Sequence, residues 1–282
     1  MRPAITSFFE SEIDLTVVAT LLFCRKMCAL GSHQHPPENE VRALFDEMSQ
    51  TYGIVHVISS LGFAYFWRRR CAAAIRRNSK SVLDVMSGAG EMVPILIQQI
   101  NPQATIRLVD FSSGMCAKAE ENSRRWQRSG LKITNENALQ LTSKDEEFDS
   151  VTCAFGLKTL SDAEMWRFAS ELWRVTKPDG VVSLLEFSIP SSRLLHPFFK
   201  LYVKWYVPIL GKLFLGNPDN YRKLWHYTCL FRSCREVIQH FERAGFETNF
   251  QSHFFGCATQ IVAYKRSEEC LKIHREHAHG HY

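Results

Sequence analysis

The sequence predicts an α/β protein built on a doubly wound, mostly parallel sheet with helices on both faces. Three observations predict it. From Ser81 onward, short apolar runs alternate with helical stretches, the pattern of repeated βαβ units. The first run, "SVLDVM", leads through the turn "SGAG" into a helix, an arrangement that brings a ligand against bare backbone at the carboxyl end of a strand. Near the end of the chain, "NFQSHFFG" followed by "ATQIVAYKR" reads as a terminal β-pair.

Bulk properties set the scale. The 282 residues are 45% hydrophobic and 22% charged, enough for one large domain with decorations or at most two domains. A net charge of +5 is too mild to select nucleic acid, and no nucleic-acid partner is expected. Nine cysteines without a C-x-x-C pair read as reduced, mostly buried thiols of a cytoplasmic protein. No apolar run approaches the roughly 20 residues that span a bilayer. The oligomeric state is left open.

In order along the chain, "LTVVATLLF" follows Glu10, Glu12 and Asp14. A targeting leader would carry basic residues there, so this stretch is expected to pack as a helix or touch a membrane surface. Residues 1–40 form an N-terminal helix and a linker, the latter marked by "GSHQHPPENE". A helix starts at Val41 with Val41, Leu44, Phe45 and Met48 on one face, and the basic stretch 66–77 is a second helix. Then "SVLDVM" precedes helix 91–100, "TIRLVD" precedes helix 113–128, and "FDSVTCAF" precedes helix 161–176. The turn "KPDG" leads into "GVVSLLEFS", and residues 190–235 break the rhythm as an aromatic, basic insertion. The main domain covers 41–265, and the His-rich tail 266–282 is expected to be disordered.

The glycine turn has G-x-G spacing at Gly88 and Gly90, without a third glycine and without G-K-[ST]. That excludes a dinucleotide fingerprint and a P-loop. Asp110, ending the second strand, stands where a carboxylate can accept ribose hydroxyls.

Asp84, "SGAGE", Asp110, "ENALQL", "FDSVTCAFGL" and "ELWRVTKPDGVVSLLEFS" together resemble class I S-adenosylmethionine (SAM) methyltransferases. The stretches "FDEMSQTYGIVHVISSLGFAYFWRR", "FGLKTL", "LEFSIP" and "NPDNYRKL" narrow the resemblance to the ubiquinone/menaquinone-biosynthesis C-methyltransferase family, from about Phe45 to Lys265. The resemblance implies a Rossmann-like seven-stranded sheet with an antiparallel last strand. It implies SAM as cofactor, with Asp84, Ser87, Gly88 and Gly90 at its methionine end and Asp110 on the ribose. Met115 would lie against the adenine, Asn137 and Ala138 at the adenine edge, and Phe155 and Gly156 beneath the cofactor. The implied partner is a lipophilic quinone-like acceptor.

Departures cluster where the acceptor would sit. The family's Y-D-x-M-N stretch reads Tyr52, Gly53, Ile54, Val55, His56, and its S-F-G-x-R-N reads Ala154 to Thr159 with Lys158 in place of arginine. For C-methylation a ring hydroxyl must lose its proton; His56 is the candidate base and Lys158 the candidate oxyanion stabiliser. Glu186 and Tyr221 stand at family motif positions and could complete a relay. The departures leave three readings open: methylation, SAM-dependent amination of a quinone as in rhodoquinone-forming relatives, and a catalytically silent SAM- or lipid-binding subunit. The stretch His196 to Gly216, with Lys200, Lys204 and Lys212 among aromatics, is expected to act as a lid and peripheral membrane contact. His274, His277, His279 and His281 lie on the tail, and no metal site is assigned.

Overall fold

The computed structural model describes residues 37–50, 62–126, 129–190 and 218–267, with 35, 60, 195, 201, 202 and 209 as isolated positions between and before them. The chain divides into two units, Met1–His35 and Pro36–Tyr282, and every element below belongs to the second. His56, Lys200, Lys204, Lys212 and the histidine tail lie outside the described residues, as does "LTVVATLLF".

Seven strands form one sheet: β1 (Ser81–Val85), β2 (Thr105–Asp110), β3 (Leu131–Asn135), β4 (Phe148–Ala154), β5 (Thr176–Phe187), β6 (Glu247–His253) and β7 (Ala258–Tyr264). Their order is β3-β2-β1-β4-β5-β7-β6. All pairings from β3 through β5 are parallel, while β7 runs antiparallel to both β5 and β6. The expected mostly parallel, seven-stranded sheet with an antiparallel final strand is present. β6 therefore points the same way as β1 to β5, and the β6–β7 turn lies on the carboxyl edge of the sheet.

Buried strands explain the texture of the sequence. Side chains alternate across a strand, so Val82, Ile106, Leu108, Val181 and Leu185 pack in one core and Leu83, Val85, Val109, Val182 and Leu184 in the other. The first core is covered by α2 (Phe63–Ala73), α3 (Val93–Gln99) and α4 (Ser113–Trp126). The second is covered by α5 (Asp162–Val175) and α7 (Ile238–Ala244), where Phe168 meets Phe241 edge to face. α5 starts with a capping box in which Ser161 and Glu164 satisfy each other's backbone N–H. α1 (Glu38–Met48) precedes these elements and turns Val41, Leu44 and Met48 inward.

Three details differ from the sequence reading. β3 is additional to it: an edge strand with half-buried and exposed positions lacks the continuous apolar run of its neighbours. The "KPDG" segment does not precede β5 but lies inside it as an irregularity. Phe148 pairs with Thr176 and Ser150 already with Val181, while Asp179 takes φ 61°. The 190–235 insertion contains α6 (Pro218–Phe231), which packs on the short turn Leu157–Thr159. Among the described residues no helix is long and apolar enough to cross a membrane.

Candidate cofactor and active site

The order of strands reverses between β1 and β4, and a crevice opens there beyond their carboxyl ends. A cleft open to solvent lies at that point, the concave setting that small-molecule sites use. Its walls come from the segments following β1, β2, β3 and β4, with Val41 and Phe45 of α1 on another side. Of the residues expected around a cofactor, Asp84, Ser87, Gly88, Asp110, Met115, Asn137, Ala138, Phe155 and Gly156 all line it.

Gly90 does not. At φ +81° it faces the Trp126 ring, which would occupy the space of any β-carbon, so its role is the turn and the packing of α4. Gly88 takes φ +56° and donates its N–H to Asp110 Oδ2 at 2.8 Å. Ser112 N donates to the other oxygen at 2.9 Å. Each Asp110 oxygen thus keeps one lone pair for a ligand hydroxyl. Burial pushes the Asp110 carboxyl up to about 6, although these two N–H bonds pull the other way.

Asp84 is the most distinctive group in the cavity. It is fully buried, Thr152 Oγ1 donates to its Oδ1 at 2.7 Å, and its Oδ2 has no partner. Burial pushes its pKa up to about 7, with Glu91 and Asp110 adding like-charge repulsion and the Arg68 guanidinium opposing it. Glu91 Oε1 is likewise buried without a partner. Glu38, Glu136 and Glu164 also line the cleft; Arg42 pairs with Glu38 and Arg107 with Glu136, so acidic groups still outnumber the lining guanidinium of Arg68. Buried carboxylate oxygens without partners suit a cationic ligand. The sulfonium and ammonium of SAM meet that requirement, and the unsatisfied oxygens of Asp84 and Glu91 are the groups that would hold them.

The opposite wall is strained. Met86 and Phe155, at the ends of β1 and β4, have φ of 51° and 72°, unusual for large side chains. Met86 fits against the backbone after Phe155 because Gly156 lacks a β-carbon, which would sit 2.5 Å from Met86 Sδ and 2.8 Å from its Cβ.

The expected catalytic residues are placed differently from the cofactor set. Lys158 does not line the cleft. Its ammonium donates to Glu186 Oε1 at 2.9 Å and to the Phe155 carbonyl at 2.6 Å, and its backbone N–H donates to Glu186 Oε2 at 3.1 Å. Both side chains are buried, Glu186 completely. The pair fixes the Phe155–Gly156 wall from behind rather than presenting a charge to an acceptor. Tyr221 lies in α6 with its side chain outside the described set.

Arg68 was not foreseen. It is buried on α2, lines the cleft and stacks its guanidinium 5.1 Å from the Phe155 ring centre. Its signal was the helical spacing of Ala64, Trp67, Cys71 and Ile75, all buried: Arg68 falls on their face, Arg69 and Arg70 outside it. The grip of α1 was also unforeseen. Asp46 Oδ1 accepts from Ser112 Oγ at 2.6 Å and Gly114 N at 3.0 Å, and Glu38 Oε2 accepts from Asn137 Nδ2 at 2.9 Å.

Known proteins agree with this architecture. A demethylmenaquinone methyltransferase of Deinococcus radiodurans is 33% identical over 227 residues, covering 80% of this chain and 92% of the relative. One of Lactiplantibacillus plantarum is 32% identical, covering 82% and 98%. Among solved structures, a SAM-dependent methyltransferase of Thermotoga maritima superposes with TM-score 0.55 at 18% identity, covering 79% of this chain and 99% of that one. An O-methyltransferase family protein of Burkholderia thailandensis gives 0.51 at 16%, covering 82% and 61%; these two share the fold. The model of the ubiE/COQ5 methyltransferase family matches residues 33–265, and the chain belongs to that family of SAM-dependent transferases.

Proposed function

We propose that the protein methylates a ring carbon of a quinone-like, lipophilic aromatic acceptor. The observation that carries the reading is the acidic cleft at the β1/β4 switch point, with the unpartnered Asp84 Oδ2 inside it. Two relatives named demethylmenaquinone methyltransferase, matching over most of both chains, support the acceptor class. SAM, when bound, supplies an electrophilic methyl group on a cationic sulfur.

The chain's own residues would do the rest. Asp84 and Glu91 neutralise cationic groups, and Asp110 holds hydroxyls with its remaining lone pairs. Val41 and Phe45 exclude water, which strengthens the remaining electrostatics. Lys158 and Glu186 hold the Phe155–Gly156 wall in register, a positioning role. His56, expected as the base for the acceptor hydroxyl, and Tyr221 remain part of the proposal on sequence grounds alone. Because such an acceptor carries a lipid tail, the reading includes work at a membrane surface.

The test is product mass. Purified protein is incubated with SAM and a reduced demethylated naphthoquinone. A gain of one methyl group on carbon, with release of S-adenosylhomocysteine, supports the proposal. Replacement of a methoxy by an amino group on a methoxylated quinone would assign the amination reading instead. Intact SAM and acceptor in a protein that binds SAM would identify a silent subunit.

A further inference from the structure

One surface outside the cleft gathers four of the exposed large aromatic side chains among the described residues. Tyr65 and Phe66 in the first turn of α2 are each 50% exposed, and Phe254 and Phe255 in the β6–β7 turn are 51% and 68% exposed. The two groups are joined: the Phe63 ring packs tilted against Phe254 with centres 4.6 Å apart, and Phe254 contacts Phe255. Phe254 and Phe255 both sit at positive φ, 46° and 55°. Consecutive phenylalanines in that region are strained, and here the strain holds both rings outward.

Charge surrounds this patch on one side. Arg69 and Arg70, exposed on the next turn of α2, lie over the rings of Tyr65 and Phe66 at 6.0 and 5.2 Å. No acidic residue occurs from Ser60 to Leu83 or from Thr248 to Ser267, so neither segment that builds the patch carries an acidic side chain, and its cations are those of α2. Helix rise puts the arginines roughly one turn, about 5 Å, above the aromatic rings. That offset matches a headgroup phosphate layer above an apolar layer.

Position supplies the last element. The β6–β7 turn and the start of α2 lie on the carboxyl edge of the sheet, the edge that also opens the cleft, and Arg68 of the same helix reaches into the cleft. We infer that Tyr65, Phe66, Phe254 and Phe255, with Arg69 and Arg70 above them, form the face by which the protein docks on an anionic lipid bilayer. The inference deepens the functional reading above and rests on it for the lipid as occupant. It places the bilayer beside the mouth through which a lipid-tailed acceptor would enter. It does not use the 196–216 stretch.

The experiment sediments the full chain with vesicles of phosphatidylcholine alone or mixed with phosphatidylglycerol, at low and high salt. Wild type should pellet with the mixed vesicles and come off at high salt. Arg69→Ala with Arg70→Ala should weaken that binding about 25-fold, since each basic residue near such a surface contributes about a 5-fold factor. Phe255→Ser should weaken it about tenfold. Both variants should bind SAM like wild type, which shows that they are folded, and should turn over a short-tailed, water-soluble acceptor at the wild-type rate while losing turnover of a vesicle-borne one. A SAM-binding wild type that stays in the supernatant, or variants that pellet like wild type, overturns the inference. Self-association that both variants abolish, without vesicle binding, would overturn it in favour of a second copy of this chain. Vesicle binding without methyl transfer would leave the docking face standing and remove the proposed activity.

Discussion

Asp84→Asn separates the cost of a buried carboxylate from its use. The side chain is fully buried and burial raises its pKa from 3.8 to about 7. A carboxyl with a folded pKa above its unfolded value keeps in the folded state a proton that the unfolded chain has released. Wild-type stability from this group therefore falls as pH rises from about 4 to about 7. The full penalty at about pH 8 is about 4 kcal/mol. Asparagine has the same shape and can still accept from Thr152, so it escapes that penalty. In the absence of SAM, Asp84→Asn should be more stable than wild type at about pH 8 by about 4 kcal/mol, and the gap should shrink by about 2–3 kcal/mol at about pH 5. Urea denaturation of both proteins at the two pH values measures it, and thermal midpoints should differ by about 10 °C at the higher pH. The same variant should bind SAM more weakly. A stability gap that does not change with pH, or a variant less stable than wild type at the higher pH, would refute the reasoning.

Three further outcomes are expected. Asp110→Asn should lose about tenfold or more in SAM affinity by calorimetry while keeping its fold, because an amide makes weaker bonds to hydroxyls than a carboxylate; unchanged affinity would remove Asp110 from the site. Lys158→Met should cost about 3–5 kcal/mol by stranding the buried Glu186 carboxylate, and adding Glu186→Gln should recover most of it. A Lys158→Met protein as stable as wild type would contradict the buried pair. Gly156→Ala should cost about 1–3 kcal/mol by pushing Met86 out of its place, seen as a lower denaturation midpoint; an undisturbed midpoint would mean that the Met86 contact yields freely.

The fold was legible because its signals are local and repeated. Strands buried on both faces must be apolar throughout, so β1, β2, β4 and β5 stood out; Gly88 and Asp110 were placed by their distance from strand ends, and Asp84 by the family resemblance. β3 escaped because half of an edge strand meets water and "LKITN" carries lysine and asparagine. The site divides along the same line. Cleft-lining residues just beyond strand ends, such as Gly88 and Asp110, could be found from spacing, while the pairing of Lys158 with Glu186 could not. Both lie in family motifs, yet nothing local says that their charges satisfy each other behind the wall. Arg68 was readable from helical periodicity but hidden among three consecutive arginines.

The hold of α1 on the cleft has a thermodynamic consequence. Its Asp46 binds the Ser112–Gly114 loop that carries Asp110, and its Glu38 binds Asn137, while Val41 and Phe45 form part of the cavity wall. Ordering the helix and filling the cavity are then coupled equilibria, and coupling free energy is reciprocal. Any change that loosens α1 lowers ligand affinity by the fraction of molecules in which the helix is docked. Ligand, in turn, shifts the helix toward its docked state and slows amide exchange along residues 38–48. An Asp46→Ala protein would pay this cost at a residue outside the cavity lining, and saturating ligand would restore the protection that the substitution removed.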